Sequence, residues 1–275
     1  MMDLAYDERG ARGGRTLLFL HGLTNSNQTY REVLERLGEP RIHIINADLR
    51  GHGRSTWADS YRVSDYSADV VDLLDTVEAD AVTAVGHSLG GLVVSHLAGT
   101  YPERVDALFL EDPALYQGDP VERATDPSIA NMPALADQLR GWQEGDASIA
   151  EIAQEYGESA SPYPAMTMLD LQSEERIQSR VEAYLQCDPA AVEATFDGTL
   201  WEGFDPETPI SCRVKVLAAD PTLDAMFLPR HFDRYTAVVP HAQIVSVEGA
   251  AHSIRLTEDG LNVYMEALRS FLESL

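Results

Sequence analysis

One serine in this chain lies in a pattern that favours nucleophilic chemistry. Residues 86–91 contain a Gly-x-Ser-x-Gly turn centred on Ser88. A short apolar run at 81–85 precedes it and predicts a buried strand. A strand–turn–helix segment of this kind holds the serine on a strained backbone and projects its hydroxyl above the sheet edge. Gly86 and Gly90 suit the turn because any side chain there would crowd it. Ser88 is therefore a candidate nucleophile.

Two further segments carry the other groups that a nucleophilic serine needs. Such a serine requires a base to take its proton and N–H donors to stabilise the oxyanion that forms. His252 follows a predicted strand at 244–247, where a general base would lie. Leu23 follows a glycine turn at the end of a predicted strand at 16–20, and Leu89 begins the helix after the serine. The backbone N–H groups of Leu23 and Leu89 are the predicted oxyanion hole.

Taken together, these segments resemble the α/β-hydrolase family. The motifs that carry the resemblance are the turn at His21 and Gly22, the polar loop from Asp48 to Ser55, the elbow at 86–91 and the pair Gly249 and His252. The resemblance implies a mostly parallel twisted sheet flanked by helices, with a Ser-His-acid triad in the chain order Ser, acid, His. It implies no cofactor, and the spacing of the histidines predicts no metal site. The family hosts many reactions, so the substrate is not specified.

The acid of the triad is left open by the sequence. Asp220 ends the strand before the histidine, which is the usual place in the resembled family, although its loop is shorter than the family pattern. Asp112 ends the strand after the nucleophile helix, where some family members place the acid. Position slightly favours Asp220, with Asp112 as the alternative and Asp224 as a third candidate. Glu111 should point to the other side of its strand from Asp112.

The order of predicted elements agrees with this fold class. Apolar runs predict further strands at 42–47, 107–110 and 214–218, and periodic apolar residues predict helices at 27–37, 64–78 and 258–272. Alternation of this kind implies a parallel sheet covered on both faces. The stretch 114–209 shows helical runs and no strand pattern. In the resembled family a helical cap is inserted at this point, so the resemblance implies a hydrolase core of residues 1–113 and 210–275 with an inserted helical cap at 114–209.

The predicted cap would supply the walls of the substrate pocket. Its aromatic and methionine residues are the candidates: Tyr116, Met132, Trp142, Tyr156, Tyr163, Met166, Met168 and Trp201. Apolar residues at helical spacing more often pack against one another, so each of them could instead belong to the interior of the cap.

Charge and composition narrow the possible partners. The net charge is −25 at pH 7, with one lysine, Lys215, against 19 arginines. This argues against binding nucleic acid or an anionic membrane through a basic patch. It also disfavours anionic substrates through long-range steering, although a local arginine could override that effect. No apolar run predicts a membrane span, and no secretory signal is visible. We expect a cytoplasmic protein in which Cys187 and Cys212 are free thiols; a homodimer is compatible with the sequence.

The expected reaction is hydrolysis of a carboxylic ester or lactone of a neutral, mainly apolar small molecule, through an acyl-enzyme. A serine at position 88 argues against dehalogenase and epoxide hydrolase chemistry, which in the resembled family needs a carboxylate nucleophile. The same triad would also serve hydrolysis of a carbon–carbon bond in a diketone, or cofactor-free perhydrolase chemistry of the haloperoxidase type. A ligand receptor with slow turnover is a further alternative. No sequence feature separates these hypotheses.

Overall fold

The computed structural model describes residues 4–38 and 42–275. Within them one sheet of seven strands is formed by β1 (Tyr6–Arg9), β2 (Thr16–Leu20), β3 (His43–Ala47), β4 (Val82–His87), β5 (Val105–Glu111), β6 (Arg213–Ala218) and β7 (Gln243–Ser246). The strand order across the sheet is β1-β3-β2-β4-β5-β6-β7. The edge strand β1 is antiparallel to β3, and all other neighbouring strands are parallel. The predicted mostly parallel sheet is confirmed.

Helices cover both faces of this sheet. The α-helices of the described residues are α1 (Arg31–Leu37), α2 (Val63–Thr76), α3 (Leu89–Thr100), α4 (Pro120–Thr125), α5 (Pro127–Ala130), α6 (Met132–Glu144), α7 (Ile149–Glu158), α8 (Met168–Leu171), α9 (Glu174–Leu185), α10 (Pro189–Phe196), α11 (Pro229–Val238) and α12 (Glu258–Glu273). Single 3₁₀ turns occur at Asn27–Tyr30, Pro102–Arg104, Thr199–Trp201 and Ile254–Leu256. None of these helices is long and apolar enough to cross a membrane.

Alternate residues of each central strand face two separate apolar cores. Leu18 and Leu20 of β2 pack with residues of α2, α3 and α11. Leu17 and Phe19 of the same strand pack with residues of α1 and α12 on the other face. This division follows from the two-residue period of a strand. Every residue of β2, β3 and β4 is buried, as expected for parallel strands covered on both sides.

Some elements differ from the sequence expectation. The helix predicted at 27–37 is a 3₁₀ turn followed by α1. Helix α2 begins at Val63 because the side chain of Asp65 accepts the backbone N–H of Arg62 and caps the first turn there. Strand β1 was not predicted because it is a half-exposed edge strand without an apolar pattern.

The segment between β5 and β6 contains seven helices, α4 to α10, and an isolated bridge between Ala160 and Thr167. We refer to residues 120–201 as the inserted segment. The predicted helical character of this stretch agrees with the structure. Cys187 and Cys212 are free thiols, as the sequence led us to expect.

Two fully buried histidines brace the loops that follow β2 and β3. The Nδ1 atom of His21 lies 2.8 Å from the Gly22 carbonyl, and its Nε2 accepts the Leu49 N–H at 3.0 Å. The Nδ1 atom of His52 lies 2.8 Å from the Arg50 carbonyl. The two contacts of His21 require the neutral form with the proton on Nδ1, and the His52 contact places a proton on Nδ1 of His52. Burial lowers the pKa of His21 to about 4 and that of His52 to about 3.

We therefore expect the free energy of unfolding to fall as the pH is lowered from about 6.5 towards 4. In this range the unfolded chain binds protons that the folded chain excludes, so acid favours unfolding. Each such histidine contributes a slope of about 1.4 kcal/mol per pH unit. Urea titrations between pH 7 and 4 measure this slope. The slope should decrease in His52→Gln and stay unchanged in His241→Gln, a variant of an exposed histidine. Equal slopes in the two variants would contradict the assignment.

Candidate active site

Ser88 lies on a strained turn between β4 and α3. Its backbone angles are φ 51° and ψ −113°, which few non-glycine residues adopt. The Ser88 N–H donates to the carbonyl of Glu111 on the neighbouring strand at 3.0 Å. A Cβ at Gly90 would lie 2.1 Å from the carbonyl oxygen of Leu20, so a side chain at position 90 is excluded. The local sequence and the two adjoining strands therefore hold the serine in this conformation.

Two other strained residues lie at the ends of neighbouring strands. Asp112 has φ 39° directly after β5, and Thr24 has φ 59° just after β2. Together with Ser88 they make up three of the five non-glycine residues with positive φ in the described part of the chain. Such conformations persist where surrounding contacts enforce them, and they cluster at functional sites.

His252 is held by a buried carboxylate. Its Nδ1 atom lies 2.6 Å from Oδ2 of Asp112, whose side chain is fully buried. The same carboxylate accepts the backbone N–H groups of Met226 at 2.7 Å, Phe227 at 3.1 Å and Ala219 at 3.2 Å. Four donors thus surround Asp112, and hydrogen bonds to the charged form stabilise a carboxylate. The structure pairs Asp112 with the histidine.

Asp220, which position slightly favoured, makes other contacts in the structure. Its carboxylate accepts the backbone and side chain of Thr222 at 2.9 and 2.7 Å, and the N–H of Gly249 at 2.7 Å. These bonds join the loop after β6 to the loop after β7. The Asp220 side chain thus bonds Thr222 and Gly249, and no contact joins it to His252 within the described residues. Asp112, in contrast, follows β5, which lies between the serine strand β4 and β6 in the sheet.

The environment of His252 favours its charged form. Burial acts to lower the pKa of His252, but the hydrogen bond and negative charge of Asp112 outweigh it, helped by Asp224 and Glu111, so the pKa is raised above its ordinary value. Asp224, the third acid candidate, accepts the backbone N–H of His252 at 2.6 Å. With Nδ1 bonded to Asp112, Nε2 has no partner among the described residues and is available to accept a proton.

A buried ion pair joins the end of β5 to the segment that follows His252. Glu111 Oε2 and Arg255 Nε are 2.7 Å apart, and both side chains are almost fully buried. The carbonyl of Glu111 accepts the Ser88 N–H, and Arg255 lies three residues after His252. Glu111 and Asp112 thus make separate contacts, as the alternation along a strand predicts.

The two predicted oxyanion donors lie beside the serine. A Cβ at Gly22 would lie 2.7 Å from Nδ1 of His87 and 3.2 Å from Cβ of Ser88, so the turn after β2 is packed against the elbow. Within the described ranges no protein group accepts a hydrogen bond from the backbone N–H of Leu23 or Leu89. Both residues line the same cavity as Ser88. Two unused N–H groups next to a strained serine can bind a developing oxyanion.

Ser88 and His252 open into a cavity of about 460 Å³. Core residues of the elbow and the glycine turn line one side of it, and the inserted segment lines the other. Four of the predicted wall residues are among the lining residues: Met132, Tyr156, Met168 and Trp201. The Ser88 hydroxyl makes no hydrogen bond within the described residues, and catalytic hydrogen bonds are often long before substrate binds.

The other predicted wall residues lie outside the cavity lining, which corrects their assignment. Tyr116 is buried in the core, where its ring stacks on Phe227. Trp142 packs against Tyr184 with ring centroids 5.7 Å apart. The hydroxyl of Tyr163 accepts the N–H of Ala251 at 3.2 Å. Met166 is more than one third exposed. Tyr116 and Trp142 are thus used for packing and Tyr163 for a hydrogen bond, and a sequence cannot distinguish these uses from substrate contact.

The cavity residues that were not predicted from the sequence include two arginines, Arg176 and Arg180. They lie one helical turn apart on α9 and both line the cavity. Arg180 also donates to the carbonyl of Thr24 at 2.7 Å, next to the predicted oxyanion donor Leu23. The signal in the sequence is the spacing of two arginines at i and i+4 within a predicted cap helix.

Known proteins share this architecture. A sequence profile described as alpha/beta hydrolase fold matches residues 15–259. Lipase LipV of Mycobacterium tuberculosis is 36% identical over 132 residues, which are 48% of this chain and 50% of that protein. The chain thus matches half the length of this curated relative.

Solved structures are similar over nearly the whole chain. A thermophilic esterase from Thermogutta terrifontis has a TM-score of 0.71 at 21% identity and covers 99% of this chain and 94% of its own. Est816, described as an N-acyl homoserine lactone degrading enzyme, has a TM-score of 0.67 at 20% identity, with 98% and 97% covered. At such identities the structures share the fold alone. Because the profile spans most of the sequence and the sheet and elbow agree with it, the chain belongs to the alpha/beta hydrolase fold family.

Proposed function

We propose that this protein is a serine hydrolase that cleaves a carboxylic ester or lactone through an acyl-enzyme. The observation that carries the proposal is the shared cavity of Ser88 and His252, with His252 bonded to the buried Asp112 at 2.6 Å. This is the arrangement by which a serine hydroxyl is activated.

Each group has a role in the proposed reaction. Nε2 of His252 takes the proton as the Ser88 oxygen attacks the carbonyl carbon. The carbonyl oxygen becomes negative and accepts the N–H groups of Leu23 and Leu89. Collapse of this intermediate breaks the bond to the leaving oxygen, which takes the proton from His252. Water then attacks the acyl-enzyme while His252 takes its proton, and the second collapse releases the carboxylic acid and returns the proton to Ser88. Asp112 keeps the imidazole in the required tautomer and stabilises its charged form.

The size of the cavity and the names of similar proteins support a small-molecule ester or lactone as the substrate. A volume of about 460 Å³ lies within the range of small-molecule pockets. Met132, Leu135 and Met168 of the inserted segment give it apolar walls. The similar proteins include one named a lipase, one an esterase and one a lactone-degrading enzyme.

Labelling with a fluorophosphonate, together with a panel of aryl esters, lactones and diketones, tests this proposal. We expect one covalent adduct on Ser88 by peptide mass spectrometry, and a parallel loss of ester hydrolysis. Ser95→Ala is a matched control because Ser95 lies on α3 outside this cavity; it should label as the wild type does. Labelling that persists in Ser88→Ala would refute the proposed nucleophile. Turnover of diketones alone would replace ester hydrolysis by carbon–carbon bond hydrolysis.

A further inference from the structure

The cavity of this acidic protein is lined by more positive than negative side chains. Four arginines line it, at positions 31, 176, 180 and 255, against the two carboxylates of Glu32 and Asp224. Arg31 and Arg255 are paired with carboxylates outside the cavity lining, each at 2.7 Å. Arg176 and Arg180 have no such close carboxylate partner among the described residues.

Arg180 contacts only neutral acceptors. Its guanidinium donates to the carbonyl and hydroxyl of Thr24 at 2.7 and 2.9 Å, and to the Tyr184 hydroxyl at 3.1 Å. It also stacks over the Tyr184 ring, 4.1 Å from the centroid. In the described part of the chain no carboxylate lies within 4.0 Å of it. By contrast, the buried Arg50 has Asp69 at 2.6 Å.

Arg176 is similarly short of a counter-charge. Its guanidinium donates to the carbonyls of Leu256 at 3.3 Å and Arg255 at 3.0 Å. The only carboxylate within 4.0 Å among the described residues is that of Glu32, at the 4.0 Å limit. Glu32 already pairs with Arg36 at 2.9 Å. Asp224, the other cavity carboxylate, accepts the backbone N–H of His252.

Two part-buried guanidinium groups without a close carboxylate leave positive charge on the cavity wall, which an anionic group of a ligand can neutralise. Removing a charge from water without pairing it is costly. A planar carboxylate matches the donor fork of arginine and can be bound by two parallel hydrogen bonds. The apolar residues Met132, Leu135 and Met168 line the same cavity and suit a hydrocarbon chain.

We propose that Arg176 and Arg180 form a subsite for a free carboxylate on the substrate, so that the ester is one of a molecule that also carries an acid group, such as the half-ester of a dicarboxylic acid. This rests on the proposed function and replaces the expectation of a neutral substrate. The net charge of −25 repels an anion at long range, but salt screens this beyond about 8 Å. The arginines act at contact distance.

Matched substrates test the subsite. Monoethyl succinate, glutarate and adipate are compared with the ethyl esters in which a carboxamide replaces the carboxylate. We expect kcat/KM of the wild type to be about tenfold or more higher for the carboxylate of the best chain length. In Arg176→Gln and Arg180→Gln this ratio should fall towards one. Arg180→Gln also removes the hydrogen bonds to Thr24, so it should lower the rate of hydrolysis of both substrates. A loss that is only structural would lower both rates equally and leave their ratio unchanged.

Arg140→Gln is the control for long-range charge. Arg140 lies on α6 of the same inserted segment, pairs with Glu193 and does not line the cavity. Arg140→Gln removes one positive charge, as Arg176→Gln and Arg180→Gln do, but it should leave the carboxylate-to-amide ratio of kcat/KM at the wild-type value. Equal rates on carboxylate and amide, with both dependent on Ser88, would overturn the subsite and leave the proposed function standing.

Binding separates the subsite from catalysis. Calorimetric titration of Ser88→Ala with the half-ester and with its amide measures the preference without turnover. We expect the half-ester to bind more tightly, and Arg176→Gln in the same background to remove the difference. If neither ester is hydrolysed by the wild type but this preference is seen, the proposed reaction fails and the subsite stands. Equal affinities would overturn the subsite.

Discussion

Replacing Ser88 by alanine is expected to lower kcat for ester hydrolysis by about 10⁴-fold or more. The attacking oxygen is lost, so only binding and the oxyanion donors remain to accelerate attack by water. The Ser88 hydroxyl makes no hydrogen bond within the described residues, so its removal should leave the melting temperature close to that of the wild type. Steady-state kinetics on an aryl ester and a thermal melt measure both quantities.

The same variant distinguishes covalent from noncovalent mechanisms. A rapid burst of released alcohol, followed by slower turnover, marks an acyl-enzyme in the wild type and should be absent from Ser88→Ala. A burst with almost no later turnover in the wild type would favour a slow ligand receptor. Activity near the wild-type level in Ser88→Ala would exclude the acyl-enzyme altogether.

Asp112→Asn is expected to lower kcat by about 10⁴-fold, whereas Asp220→Asn should change it only a few-fold. An asparagine at 112 can donate to Nδ1 of His252, which favours the tautomer with the proton on Nε2, where the base must be free. Asp220 instead bonds Thr222 and Gly249, so its change affects a loop. The two substitutions are chemically identical, and each serves as the control for the other. Large loss only in Asp220→Asn would assign the acid to Asp220.

The pH profile gives the Asp112 variant a second readout. His252 must be neutral to take a proton, so activity falls as the pH drops through its pKa. In the wild type Asp112 raises that pKa against the effect of burial. Losing the carboxylate should therefore move the acid limb of kcat/KM to lower pH in Asp112→Asn. A variant that is only partly unfolded would have a lower kcat/KM at every pH, with the acid limb at the same pH as in the wild type.

The sequence alone was sufficient to predict the core fold and the positions of Ser88 and His252. The elbow is specified locally, since a buried strand, two close-packed glycines and a helix start follow one another within 82–100. Parallel strands are read from short apolar runs because both their faces are buried. The carboxyl ends of parallel strands lie at one edge of the sheet, so Ser88 and His252, which both follow strands, are predicted at that edge.

The tertiary structure alone decided which acid holds the histidine. Asp112 and Asp220 both end parallel strands, and the choice depends on the direction of each side chain. The backbone N–H groups of residues 219, 226 and 227 converge on Asp112, whereas Asp220 accepts the N–H groups of residues 222 and 249. These donors lie more than 100 residues from Asp112 in the chain.

The side chains that line the cavity could not be predicted from the sequence either. Tyr116, Trp142 and Tyr163 have the residue types of pocket walls, but they pack against the core or the inserted segment. Arg176 and Arg180 resemble ordinary helix-surface arginines in a chain with many acidic partners. Only the docking of α9 over the serine places them on the cavity without close carboxylates. Local patterns thus determine which elements form, whereas the contacts between distant elements determine which side chains meet the substrate.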